Sequence, residues 1–158
     1  MDNIDRKILA RLQQDNSIAV ADLAAEAGLS VGTVYRRTAC WRRIKSLEET
    51  GVIRAQVSLL DRGKLNLSVT VFVAIKTSRH DVEWLRKFAE TVDNFPEIME
   101  FYRMSGDIDY LLKVVVPDVS AYDRFYHRLI QRIDLSDVSS NFAMEEIKFT
   151  TALPLQGN

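Results

Sequence analysis

The hydrophobic periodicity of the chain changes once, near residue 67, and this change constrains the fold more than any other feature. Before it, apolar residues recur at helical spacing; after it, β-branched runs of period two alternate with helical segments. The predicted strands are LSVTVFVAIKT, IMEFYRMSG, DIDYLLKVVVP and VSSNFAMEEIKF, and the predicted helices are VEWLRKFAETV and SAYDRFYHRLIQRI. The order βαββαβ predicts a ferredoxin-like module.

The residues before this change predict three helices. The first follows Asp2, a residue type that caps helix N-termini, and the second ends at Gly28, where a C-terminal cap belongs. In the third, Cys40, Ile44 and Leu47 form an apolar stripe that continues to Gly51. VIRAQVSLL then alternates as a strand does, so the order is typical of a winged helix-turn-helix.

These patterns predict an α+β chain of two modules. The winged helix-turn-helix spans residues 1–60, the polar DRGKLN at 61–66 forms a linker, and the ferredoxin-like module spans 67–158. Residues 1–63 carry ten Lys and Arg against eight acids, whereas 64–158 carry eleven against fourteen. The cationic excess therefore lies in the first module, where a polyanion is expected to bind.

Composition excludes several classes of protein. Cys40 is the only cysteine, so no intrachain disulfide forms, and His80 and His127 lie too far from it to indicate a zinc site. The N-terminus lacks the apolar core of a signal peptide, and no stretch is long enough to cross a bilayer. We expect a cytoplasmic protein without a metal or other cofactor.

A basic run begins with two similar boxes, TVYRR and ACWRR. Arginine and lysine bind phosphates regardless of sequence, and arginine also pairs with guanine in the major groove. The alternative is a solvated helix face, which the preceding helices and turn disfavour; Trp41 is assigned to packing. The predicted contacts to double-stranded DNA are Arg36, Arg37, Thr38, Arg42, Arg43 and Lys45.

The GDIDY segment between two predicted strands carries a second candidate site. Asp107 and Asp109 are the pair an acid/base mechanism or a hard cation uses, but no neighbouring residue completes a catalytic set. We therefore expect no enzyme. Turn formation explains the carboxylates, while Gly106 admits close approach of a ligand with carboxylate and ammonium groups. The stripe of Tyr122, Phe125 and Tyr126 is assigned to packing.

Several segments together resemble the Lrp/AsnC family of transcriptional regulators: IDRKILARLQQD, LAAEAGLS, ACWRRIKSLEETGVI, MSGDIDYLLKVVVPDVSAYDRF and AMEEIKF. The resemblance implies a DNA-binding winged helix and a module that binds small effectors, often amino acids. It also implies a homodimer that assembles further, to an octamer. The effector-binding positions it implies are Met104, Gly106, Asp107, Asp109, Tyr110 and Ser140.

The chain departs from this family pattern at two places. About six residues, VGTVYR, are added between the GLS turn and the basic helix, and they form either an enlarged turn or an N-terminal extension of that helix. Val138 replaces a hydroxyl residue of the family's T-x-T step, so effector binding is altered or lost. Two other functions are weighed: a family-like enzyme of haem-precursor decarboxylation, and an assembly module without DNA binding.

Overall fold

The computed structural model describes residues 1–29, 33–79 and 81–155. It divides the chain into two compact units. The first contains Met1–Leu59 together with the C-terminal segment that begins at Lys148, and the second contains Leu60–Ile147. The last residues of the chain therefore group with the helical module, whereas the sequence pattern assigned them to the ferredoxin-like one.

The first unit contains three helices, α1 (Asn3–Leu12), α2 (Val20–Glu26) and α3 (Thr33–Glu49). Asp2 caps α1 as predicted, in a reciprocal capping box with Asp5. Gly28 follows α2 with φ +81°, a conformation that costs glycine little. The buried core of the three helices consists of Ile8, Leu23, Ala24, Ala27 and Cys40.

The added segment is helical over 33–36, because α3 runs without a break from Thr33 to Glu49. Residues 33–36 therefore form an N-terminal extension of the basic helix, which is one of the two alternatives. Positions 30–32 lie outside the described residues. Val34 and Tyr35 are 70% and 75% exposed, so the extension does not lengthen the core stripe. The assignment of Trp41 to packing is wrong, since this residue is 52% exposed.

VIRAQVSLL does not form the predicted strand of a wing. No strand is assigned between α3 and Val69 in the described chain, and Val57, Leu59 and Leu60 are exposed. A segment with period-two alternation joins a sheet only when a neighbouring strand forms hydrogen bonds with it. Within the described residues, no strand pairs with this segment. Elsewhere in the first unit, the side-chain amide of Gln13 exchanges two hydrogen bonds with the backbone of Leu153 in the C-terminal segment.

The second unit confirms the predicted βαββαβ order and the α+β class. Its elements are β1 (Val69–Lys76), α4 (Val82–Asp93), β2 (Ile98–Arg103), β3 (Tyr110–Val116), α5 (Val119–Ile130) and β4 (Asp137–Phe142). The strands form one antiparallel sheet in the order β2-β3-β1-β4. Asp81 and Asp118 cap the two helices by accepting backbone hydrogen bonds from their first turns.

The core of this unit lies between the sheet and the two helices. Alternate residues of β1, Val71, Val73 and Ile75, are fully buried and belong to the same cluster as the helix residues Phe88 and Phe125. Tyr122 and Phe125 are buried in this cluster and Tyr126 packs against it, which confirms that the aromatic stripe of α5 packs. Within the described chain, no helix is long and apolar enough to span a membrane.

The opposite face of the sheet carries polar as well as apolar side chains. Phe72 on β1 lies on this face and is 38% exposed. Lys113 on β3 donates a hydrogen bond of 2.8 Å to Glu100 on β2, and the Tyr102 hydroxyl donates to the same carboxylate at 2.7 Å. An ion pair therefore lies among the apolar side chains of this face.

Candidate nucleic-acid interface and effector loop

Helix α3 presents the predicted nucleic-acid contacts on two different sides. With about 100° per residue, Arg42 points about 160° away from the buried Cys40, whereas Arg43 points only about 60° from it. Arg37, Thr38, Arg42 and Lys45 are exposed, and Arg36 and Arg43 are partly buried.

Helix α3 carries exposed cations that the protein itself leaves available. In the described ranges, no hydrogen bond or ion pair engages the side chain of Arg37 or Arg42. Lys45 forms a bond of 3.2 Å to Glu48, and the Thr38 hydroxyl donates to the Val34 carbonyl oxygen at 3.1 Å. The first turn of α3 contains no acid, so its N-terminal dipole reinforces the attraction of anions.

Arg43 is engaged within the first unit. Its Nη1 donates to Asp2 Oδ2 at 2.8 Å and to Asp5 Oδ1 at 2.6 Å. The two carboxylates raise the pKa of Arg43, the bond to Asp5 contributing most. The sequence singled out Arg43 as a DNA contact because it lies in the basic run, and gave no sign that acids about 40 residues earlier would bind it.

The effector loop lies between β2 and β3 and is closed by main-chain hydrogen bonds. The Met104 amide donates to the Asp109 carbonyl oxygen at 2.8 Å, and the Asp109 amide donates to the Ile75 carbonyl oxygen at 2.9 Å. Gly106 has φ +117°, a conformation that other residues rarely adopt. Met104, Gly106 and Asp107 are exposed at the tip of this loop.

The remaining predicted effector residues have other surroundings. Tyr110 is 4% exposed and lies in an aromatic cluster, with ring centroids 5.4 Å from Phe88 and 5.6 Å from Trp84. Ser140 is paired with Val73 on β1, faces the helices, and shares a hydrogen bond with the Tyr122 hydroxyl. The structure therefore brings Met104, Gly106, Asp107 and Asp109 together, and places Tyr110 beneath the loop and Ser140 away from it.

Sequence reasoning missed the residues that support this loop. The backbone amide of Thr77 donates to Asp109 Oδ2 at 2.8 Å, and Thr77 is 7% exposed. The next residue, Ser78, donates its amide to the Ser136 hydroxyl at 2.9 Å. The available signal was the pair of hydroxyl residues at the end of the first predicted strand, Thr77 and Ser78, since such residues commonly satisfy backbone groups where strands end.

Nothing in the described residues assembles a metal site. No group of three or more His, Cys, Asp or Glu is placed to hold an ion there. His127 is exposed on α5 with its Nε2 3.7 Å from Asp123, and His80 lies outside the described residues. Cys40 is fully buried, and this burial raises the pKa of its thiol.

Comparison with known proteins matches both units. Residues 1–48 match the AsnC-type helix-turn-helix domain, and residues 70–153 match the Lrp/AsnC ligand binding domain. The chain is 48% identical over 155 residues to the glutamate uptake regulatory protein of Zymomonas mobilis, covering 98% of this chain and 91% of that protein. It is 46% identical to the DNA-binding transcriptional activator DecR of Escherichia coli, covering 99% of both chains.

Solved structures agree with these sequence matches. An AsnC family transcriptional regulator from Agrobacterium tumefaciens is 60% identical, with a TM-score of 0.90, and the match covers 98% of this chain and 97% of that one. The regulator NMB0573 of Neisseria meningitidis, solved as a complex with L-Met, is 31% identical, with a TM-score of 0.88 and the same coverage. The chain belongs to the Lrp/AsnC family of DNA-binding transcriptional regulators.

Proposed function

We propose that the outward side of α3 reads double-stranded DNA through Thr38, Arg42 and Lys45, and that Arg36 and Arg37, near the start of the helix, add further contacts. The single observation that carries this proposal is the exposure of Arg42 on the side of α3 opposite the core, with no partner among the described residues. A side chain in this position reaches a base edge or a phosphate without breaking an existing interaction. Arg43 is omitted from the contacts because two carboxylates already hold it.

Substitution of Arg42 tests the proposal. A duplex selected from a random library serves as the binding site, and affinity is measured by fluorescence anisotropy at several salt concentrations. Arg42→Gln should weaken binding by about 1 to 3 kcal/mol if the contact is to a base, and should lower the salt slope by about one if it is to a phosphate.

The matched control is Arg86→Gln, which removes one arginine charge from α4, where Arg86 pairs with Glu83 and Glu90. This variant should bind the duplex as the unsubstituted protein does. If Arg42→Gln changes neither affinity nor salt slope, the outward side of α3 is not the reading face.

We further propose that the loop of Met104, Gly106, Asp107 and Asp109 binds an amino acid or a related metabolite. The Neisseria meningitidis regulator, solved with L-Met, supports this class of ligand, and the exposed carboxylate of Asp107 at the loop tip suits the ammonium group of an amino acid. In this proposal Tyr110 supports the loop from the core, and Ser140 acts indirectly through its bond to Tyr122.

A panel of the twenty amino acids, tested by isothermal titration calorimetry, examines the effector proposal. At least one should bind, and Asp107→Asn should weaken that binding, because it removes the exposed charge that attracts the ammonium group. Glu145→Gln, an exposed acid near the end of the second unit, is the matched control. Absence of binding by every amino acid contradicts the proposal.

Assembly and location complete the proposal: a cytoplasmic homodimer that assembles to an octamer, with sheets of two copies facing each other. The exposed Phe72 on the open face and the exposed apolar residues Val57, Leu59 and Leu60 support association. Light scattering of the full chain tests the oligomeric state. A monomer at micromolar concentration contradicts it.

A further inference from the structure

Arg43 closes a network that joins α3 to the beginning of α1. The backbone amide of Asp5 donates to Asp2 Oδ1 and that of Asp2 donates to Asp5 Oδ2, both at 2.9 Å. The other oxygen of each carboxylate accepts from Arg43 Nη1, at 2.8 Å and 2.6 Å. Each acid therefore uses one oxygen to cap α1 and the other to hold α3.

The Asp5 side of the network is more shielded than an ordinary surface ion pair. The side chains of Asp5 and Arg43 are 14% and 31% exposed, whereas that of Asp2 is 53% exposed. The bond from the Asp5 amide and the guanidinium of Arg43 both lower the pKa of Asp2. Two charged partners on one guanidinium restrict its position more than a single exposed pair does.

Apolar packing holds α3 along one narrow stripe. Of the described α3 residues, Cys40 lies in the buried cluster, whose other members include two alanines, Ile44 packs against that cluster, and Leu47 is 6% exposed. A rotation of α3 by about 20° would move a side-chain tip lying about 5 to 6 Å from the helix axis by about 2 Å. Such a displacement exceeds what a hydrogen bond to a base tolerates.

We propose that Arg43 is a positioning residue for DNA recognition, which fixes the rotation of α3 through Asp2 and Asp5 and does not itself contact DNA. The inference rests on the proposed reading of DNA by the outward side of α3. It assigns a role in DNA binding to two acids, although negative charge near a polyanion normally opposes binding.

The sign of the effect of Asp5→Asn separates positioning from direct contact. If Arg43 contacts DNA, removal of a competing acid leaves affinity unchanged or raises it. If Arg43 positions α3, Asp5→Asn weakens binding to the selected duplex. We expect a loss of about tenfold for Asp5→Asn and for Arg43→Gln, and a double variant no weaker than either single one.

The salt dependence of DNA binding is a second measurement, and it separates a positioning role of Arg43 from a direct contact between Arg43 and a phosphate. The salt slope of Arg43→Gln should match that of the unsubstituted protein, whereas a lost phosphate contact would lower it by about one. Affinity for a random duplex of equal length should remain unchanged in both variants. Asp22→Asn, an exposed acid on α2, is the charge-matched control and should not weaken binding.

Folding is checked by circular dichroism and by the emission of Trp41, and binding is measured well below the thermal midpoint of each variant. Asp2→Asn replaces Asp5→Asn if the latter lowers the folded fraction, because asparagine caps a helix as well as aspartate does. The inference is overturned if the unsubstituted protein binds its duplex and Asp5→Asn binds equally or more tightly, or if Arg43→Gln lowers the slope by one. A protein that selects no duplex refutes the proposed function instead.

Discussion

The core of the second unit is built around aromatic side chains, whereas the core of the first consists of Ile8, Leu23, Ala24, Ala27 and Cys40. In the second unit, Phe88 contacts three other aromatic rings at centroid distances of 4.9 to 5.4 Å. Polar links join the helices of the first unit across this smaller core, such as Arg43 with Asp2 and Asp5, and Arg11 with Glu26 at 3.1 Å. The second unit also has ion pairs between distant segments, such as Arg128 with Glu97, but adds them to a larger core.

The two units are therefore expected to tolerate different changes. A large aromatic core resists changes at its surface and is sensitive to loss of volume inside. A small core with cross-linking ion pairs keeps its fold when one pair is lost, but the relative placement of its helices changes. The two tryptophans allow the units to be followed separately, because Trp41 lies in the first and Trp84 in the second.

The largest expected effect is in the aromatic core. Phe88 is fully buried, so Phe88→Ala should destabilise the second unit by about 3 to 5 kcal/mol through lost burial and the cavity left behind. Urea unfolding followed by Trp84 emission, in a Trp41→Phe background, measures the change. Lys87→Ala, at an exposed position of the same helix, is the control and should change stability by less than about 0.5 kcal/mol. An equal loss of stability in both variants would show that the buried aromatic core is no more sensitive to substitution than the exposed side of the same helix.

A smaller effect is expected for one methylene in the helical core. Ile8 is fully buried, so Ile8→Val should cost about 0.5 to 1.5 kcal/mol in the unfolding of the first unit. Trp41 emission in a Trp84→Phe background follows this transition. The matched change Ile4→Val, at a partly buried position of α1, should cost less. If Ile8→Val shifts neither the stability nor the unfolding slope, the small cluster is not what holds the three helices together.

The smallest expected effect concerns the ion pair on the open face of the sheet. Hydrogen bonds from Lys113 and then Tyr102 lower the pKa of Glu100 from its ordinary value of 4.5. The folded state therefore binds fewer protons than the unfolded state as the pH falls, so this stabilisation is complete above about pH 4.5 and is lost through the lower folded-state pKa. Its size is at most about 1 kcal/mol, since the Glu100 side chain is 38% exposed.

Thermal midpoints of Glu100→Gln between pH 3 and pH 7 measure this contribution. The variant should show a weaker fall in stability below pH 4.5 than the unsubstituted protein. Tyr102→Phe keeps the ion pair and removes one hydrogen bond, so it should give an intermediate slope. Identical pH profiles for all three proteins would show that the ion pair contributes nothing to the acid response.

Local patterns predicted most of the architecture. Asp2 caps α1 and Gly28 ends α2 as predicted, because caps depend on residues within a few positions of each other. Helix α5 was predicted to start at Ser120, whereas it begins at Val119 with Asp118 as its cap. The strands of the second unit were predicted because their alternation is also a pattern of residues that lie close together in the chain. VIRAQVSLL was predicted wrongly, because alternation shows that a segment is able to join a sheet and not that a partner strand is present.

The candidate sites were predicted less completely than the fold. The loop around Gly106 was located by its sequence, but its support by Thr77 was not, because that bond joins residues 32 positions apart. Trp41 was assigned to packing, whereas it lies about 100° from Cys40 on α3 and is 52% exposed.

Patterns of neighbouring residues were enough to predict the three helices of the first unit, the βαββαβ order of the second and the concentration of cations on one helix. Which of those cations remain available depends on tertiary packing: Arg42 and Arg43 are neighbours in the chain, yet one is exposed and the other is held by Asp2 and Asp5. The physical reason is that helical periodicity depends on adjacent residues. The partner of a long charged side chain depends instead on which distant segment packs beside it.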